Sequence, residues 1–309
     1  MTTALWTPAR LPLLTEKRFV ITGSNAGLGY WAAEFLARRG ASVVIAARNE
    51  QKATSAIASI LTRAPLADVS WVKLDLANLA SIERAATELS AQPIDVLVNN
   101  AGVLGASKRG FTSDGFELMF GTNVLGHFAL TARLMPTLLA TENSRVVSLG
   151  SISHEMNEMD LADVMSDQNY GSFRAYSRSK LGVMLIAFEL DRRLRAAGLS
   201  TESLVAHPGF SLDGLSAARP GITNGSRSNV LVRAALGTFA QGKDAGALPT
   251  VRAAADPVAR GGEYWGPAGW RQLKGSPTVV RAKNRSRDIH SASTLWSMAE
   301  TMTGVPLSF

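Results

Sequence analysis

The sequence predicts a single doubly wound α/β domain, with a mostly parallel sheet of about seven strands flanked by helices. Three observations lead there. Strand-like and helix-like segments alternate to about residue 265. Val43-Val44-Ile45 and Val96-Leu97-Val98 are short unbroken apolar runs, as in parallel strands buried on both faces. Phe19-Val20-Ile21 leads straight into a glycine-rich turn and then a helical segment.

The elements follow in order. Strands are expected near Arg18–Thr22, Ser42–Ala46, Val69–Leu74, Ile94–Val98, Arg145–Leu149, Thr201–Ala206 and Glu263–Trp265, with helices between them. The first helix runs from Tyr30 to Arg39 and stops at Gly40. Residues 1–17 form an N-terminal extension, and the domain is expected over 18–270. Gly, Pro and Ser between about 210 and 228 suit either a substrate lid or a disordered loop. Residues 271–309 form a C-terminal extension. There Ile289, Ala292, Leu295, Trp296, Ala299 and Met302 recur at helical spacing within 285–302. This amphipathic helix is expected to pack on the core or on a partner subunit of a homo-oligomer.

Composition narrows the function classes. The 309 residues contain no cysteine, which excludes disulfides, thiolate catalysis and Cys-ligated metal. Four scattered histidines without a His-Glu-x-x-His spacing argue against any metal. His127 is expected to pack on the helix after Asn123. The net charge of +7 comes with basic clusters, but no aromatic interleaving or groove-reading motif points to nucleic acid. No run of about 18 apolar residues predicts a membrane span. With no signal-peptide core, the chain is read as soluble and cytoplasmic. Gly150-Ser151-Ile152-Ser153 lacks the second glycine of a hydrolase nucleophile turn.

Two motifs carry chemistry. In Thr22-Gly23-Ser24-Asn25-Ala26-Gly27-Leu28-Gly29, a strand, a glycine turn and a helix N-terminus succeed one another. Backbone N–H groups there point at an anion, and missing Cβ atoms let a pyrophosphate approach. Tyr176 and Lys180 are four residues apart in a helical stretch, so both lie on one face. An ammonium beside a phenol lowers its pKa, and a tuned tyrosine can exchange a proton with a substrate oxygen.

Together with Asp75-Leu76, Asn99-Asn100-Ala101-Gly102, Asn123, Ser151 and Pro208-Gly209, these motifs fall in one recognisable order. Over about Phe19 to Gly266 the chain resembles the short-chain dehydrogenases/reductases, which have a Rossmann-type fold. Asp114-Gly115-Phe116-Glu117, the run from Phe120 to Phe128, and His207-Pro208-Gly209 resemble the retinol-dehydrogenase and protochlorophyllide-reductase-like branch.

The resemblance implies reversible hydride transfer between a nicotinamide cofactor and a carbonyl or secondary alcohol. It makes Tyr176 the proton donor and Lys180 the group that lowers the tyrosine pKa and holds the ribose. Ser151 would polarise the carbonyl, with Ser153 as the other candidate, and Asn123 would hold a water linking Lys180 to solvent. The cofactor would meet Gly23, Ser24, Asn25, Gly27, Leu28, Gly29, Asp75, Leu76, Asn100, Ala101, Gly102, Pro208, Gly209 and Ser211. Asp213 shares with Ser211 the place where the family carries a threonine. Asp75 has a structural alternative as a cap of the helix near Leu79, and Asn99 is expected to tie the sheet. After the second strand, Arg48 follows Ala46-Ala47 where an NAD-preferring chain carries an acid. A guanidinium there suits a 2′-phosphate, so NADP(H) is expected over NAD(H). The other readings are C=C or C=N reduction on the same scaffold and a non-catalytic NADP(H)-binding regulator.

Overall fold

The computed structural model describes residues 6–105, 108–168, 170–222 and 237–309. Among the described residues one sheet has eight strands: β1 Arg18–Thr22, β2 Ser42–Ala47, β3 Val69–Lys73, β4 Val96–Asn99, β5 Arg145–Leu149, β6 Glu202–Ala206, β9 Tyr264–Pro267 and β10 Pro277–Val279. Their order across the sheet is β10-β9-β6-β5-β4-β1-β2-β3. All pairings are parallel except β9 with β10. A separate parallel pair joins β7 Ser211–Leu212 to β8 Gln241–Gly242.

The apolar runs behave as their pattern requires. Phe19 and Ile21 of β1 enter the core on one face, and Val20 enters the core on the other. Val43 and Ile45 likewise face away from Val44. One face is covered by α1 Gly27–Ala37, α2 Glu50–Leu61 and α6 Lys243–Ala255. The other is covered by α3 Leu79–Leu89, α4 His127–Leu139, α5 Ser172–Ala196 and α7 Ile289–Thr303.

The edge strand β10 is an addition to the predicted set. Its three residues begin with Pro277, which lacks a ladder donor and is tolerated only at an edge. The C-terminal helix begins later than its expected Arg285 start. Asn284–Arg287 is a 3-10 turn, and Asp288 caps α7 by accepting from Ser291 N at 2.7 Å. Leu295 and Trp296 are fully buried, with Trp296 edge-on to Phe128, whereas Ile289 in the first turn stays exposed. Of the expected lid, residues 223–228 lie outside the described residues. The part before them is anchored: Arg219 makes a bidentate ion pair with buried Glu34 of α1 and stacks on Trp31.

Strands β1 and β4 are neighbours, and the chain leaves them toward opposite faces. Ligands of doubly wound sheets bind at such a switch point, beyond the carboxyl ends of the strands.

Candidate active site

A cavity of about 630 Å³ opens at this switch point. Gly23, Asn25, Gly27, Leu28, Arg48, Asp75, Leu76, Asn100, Ala101, Gly102, Tyr176 and Lys180 all line it, as the sequence led one to expect. Gly23 and Gly27 have left-handed φ values of 66° and 60°. A Cβ on Gly23 would lie 2.9 Å from the Ala101 Cβ, so the turn packs against the β4 loop only as glycine. Helix α1 starts at Gly27 with no side-chain cap and no acid in its first turn. Its free N–H groups therefore suit an external anion. This fits the phosphates of a dinucleotide.

The turn is held by Thr22. Its hydroxyl accepts from Asn100 N and Ala101 N, each at 2.9 Å, and Asn100 Nδ2 donates to Thr22 O at 2.7 Å. His127 Nδ1 faces the Asn123 carbonyl at 3.0 Å and so carries the ring proton, which leaves Nε2 to accept from the Thr22 hydroxyl at 2.9 Å; Val98 O lies 3.3 Å from the same hydroxyl. Burial pulls the His127 pKa down to about 4, so the ring stays neutral. The expected packing role of His127 therefore includes a polar bridge that pattern alone did not disclose.

At the far end, Arg48 Nη1 lies 4.0 Å from Asp75 Oδ1, both exposed at the cavity mouth. Asp75 does not cap α3. Asn78 does, accepting from Ser81 N at 2.8 Å, while Asp75 Oδ1 accepts from Ala77 N at 3.0 Å. Asn99 ties the sheet to its covering helix: its Nδ2 donates to Thr131 of α4 at 2.9 Å.

The Tyr–Lys pair lies on α5. Lys180 is buried, and its Nζ donates to Leu149 O at 2.8 Å and sits 6.0 Å from the Tyr176 ring centre. Burial pulls its pKa down to about 8. Burial pushes the Tyr176 phenol up, and the Ser151 hydrogen bond only partly offsets this. The net direction is thus opposite to the expected lowering, because desolvation outweighs the Ser151 contribution.

Ser151 Oγ accepts from Ser153 N at 3.1 Å and from Ser153 Oγ at 3.0 Å, and lies near enough to the Tyr176 phenol to favour its ionisation. Ser153 is buried and supports Ser151 from behind. Asn123 is fully buried in a π-helical stretch, Gly121–Gly126. Its side chain accepts from Val103 N at 2.8 Å and donates to Ser179 Oγ at 2.9 Å, tying the β4 loop to α5.

Several expected contacts do not line the cavity. Ser24 is buried and donates to Ile21 O at 2.7 Å, and Gly29 packs against Asn100. Pro208 and Gly209 are not in its lining, Gly209 packing against Leu273, and Ser211 donates to Pro208 O at 2.7 Å. Asp213 and Gly214 line the cavity instead, joined by Lys243, a cation the sequence reading passed over. Among the described residues there is no cluster able to hold a metal and no helix long and apolar enough to cross a membrane.

Comparison with known proteins agrees with this geometry. The sequence model of the family described as short chain dehydrogenase matches residues 17–210. The chain is 39% identical to mouse polyprenol dehydrogenase over 208 residues, 65% of this chain and 62% of that protein. It is 37% identical to human retinol dehydrogenase 13 over 198 residues, 63% of this chain and 59% of that protein. It thus spans about 60% of the length of these curated relatives. A crystal structure of an uncharacterized protein from Mycobacterium paratuberculosis superposes with a TM-score of 0.80 at 36% identity, covering 99% of this chain and 100% of that one.

Proposed function

The chain belongs to the short-chain dehydrogenase family, in its retinol-dehydrogenase-like branch, and from that premise we propose that it is an NADP(H)-dependent carbonyl reductase or alcohol dehydrogenase. The observation that carries this reading is a single cavity with a cation, Arg48, at the adenosine end and Tyr176 and Lys180 at the other. Members of the family use a nicotinamide cofactor, which supplies or accepts the hydride. The relatives named for polyprenol and retinol support an alcohol, or its carbonyl partner, as the substrate class.

The chain's own groups manage the oxygen and its proton. Ser151 donates to the carbonyl oxygen and stabilises charge as it grows there. The Tyr176 hydroxyl delivers the proton that completes the alcohol, and withdraws it in the reverse direction. A phenol kept neutral by burial is in the form required of an acid. Lys180 would hold the ribose of the nicotinamide half and, through its charge, stabilise the phenolate left behind. Arg48 would hold the 2′-phosphate, exchanging its pairing with Asp75 for a charge-assisted contact.

The test is purified chain mixed with NADPH, or separately NADH, and a panel of ketones and aldehydes, followed by loss of nicotinamide absorbance. Carbonyl-dependent consumption of NADPH is expected. Consumption only with activated alkenes or imines would transfer the reading to C=C or C=N reduction. Binding of NADPH without turnover of any class would leave a regulatory role.

A further inference from the structure

Lys243 and Asp213 lie beyond the residues matched by the family model, yet both line the cavity. The short parallel pair brings them together: β7 ends at Leu212 beside Gly242, so Asp213 and Lys243 leave the pair side by side. Ser216 Oγ accepts from Lys243 N at 2.7 Å and fixes the start of α6. The two side chains form an ion pair, Lys243 Nζ to Asp213 Oδ2, at 2.6 Å.

The position of this lysine is unusual. A Cβ on Gly27 would lie only 3.4 Å from Lys243 Nζ, so the ammonium stands over the first residue of α1. The N-terminus of a helix is already electropositive, and α1 carries no acid there to balance it. Placing a cation on that spot is unfavourable unless an anion lies with it. In the free protein the Asp213 carboxylate is that anion.

We propose that Lys243 binds the pyrophosphate of the cofactor, and that Asp213 holds its ammonium in the free protein until the phosphates displace the carboxylate. This rests on the dinucleotide reading of the cavity. Asp213 is half exposed, so it can swing into solvent at little cost, as expected of a surface ion pair. Lys243 is the more buried partner and is held at its backbone, so it stays. The bound pyrophosphate then meets the α1 N–H groups and the Lys243 ammonium together. Asp213 sets a threshold, because its departure is part of every binding event.

The test is calorimetric titration of the full chain with two probes. NADPH carries a pyrophosphate; adenosine 2′-phosphate does not. Lys243→Met should weaken NADPH by about 10- to 100-fold, the worth of one charge-assisted hydrogen bond, and leave adenosine 2′-phosphate unchanged. Asp213→Asn should tighten NADPH severalfold, because the ammonium is released and a like charge removed. Unchanged NADPH affinity in Lys243→Met, or equal loss of both probes, would overturn the inference. Should Lys243→Met fail to fold by circular dichroism, Asp213→Asn decides: tighter binding supports the inference, and equal or weaker binding overturns it. A wild-type chain that ignores both probes would instead sink the cofactor reading, and this inference with it.

Discussion

Lys180 gives the most quantitative expectation. It is buried without a carboxylate partner, and its pKa falls from 10.5 to about 8 through desolvation alone. Each tenfold change in proton affinity is about 1.4 kcal/mol, so this displacement amounts to about 3 kcal/mol. The folded state binds the proton more weakly than the unfolded state. Stability from this group is therefore fully present above the unfolded pKa of about 10.4 and is lost as pH falls through the folded value near 8. Lys180→Met removes the titration. It also removes the donor to Leu149 O, at a cost of about 1–3 kcal/mol that does not vary with pH. The difference in unfolding free energy, wild type minus variant, should rise by about 3 kcal/mol between pH 7 and pH 10.5. Urea unfolding at a series of pH values measures it, since all other groups are common to both proteins. Parallel profiles would refute the claim that Lys180 is desolvated and unpaired.

Arg48→Ala should weaken NADPH by about 1.5–3 kcal/mol while NADH changes little; equal losses by calorimetry would remove Arg48 from the 2′-phosphate. Ser151→Ala should depress kcat strongly at unchanged NADPH affinity, and Ser153→Ala should do so less, because the Ser153 hydroxyl acts through its hydrogen bond to Ser151 Oγ. A dead Ser153→Ala beside an active Ser151→Ala would reverse the assignment. Burial opposes ionisation of Glu34, but Arg219 and Tyr30 outweigh it and hold the carboxyl below its usual value. Arg219→Ala leaves that buried charge without its bidentate partner and should cost about 3–5 kcal/mol in urea unfolding. A loss below about 1 kcal/mol would mean the pair behaves as a surface contact.

Where one segment determines its own environment, the sequence was legible. Apolar runs declared two-faced strands, and the glycine turn declared its own backbone. The four-residue spacing placed Tyr176 and Lys180 on one face of α5. What stayed hidden depends on groups distant in sequence. Strand β10 has three residues and exists only because β9 offers an edge. Lys243 meets Asp213 through a two-residue parallel pair that no local pattern announces. The bridge from Thr22 through His127 to Asn123 needs β1 and α4 in register. The direction of the Tyr176 pKa required burial to be known: spacing shows that a cation is near, not that desolvation outweighs it.

The central claim is that hydride passes to a carbonyl carbon and Tyr176 protonates the oxygen. NADPH carrying deuterium at nicotinamide C4 tests it most directly, with turnover of the best ketone of the panel followed by NMR of the product. The account predicts deuterium on the carbinol carbon with wild-type protein and almost no product from Tyr176→Phe. Deuterium on a carbon beta to an intact carbonyl, or undiminished labelling of the carbinol by Tyr176→Phe, would contradict it.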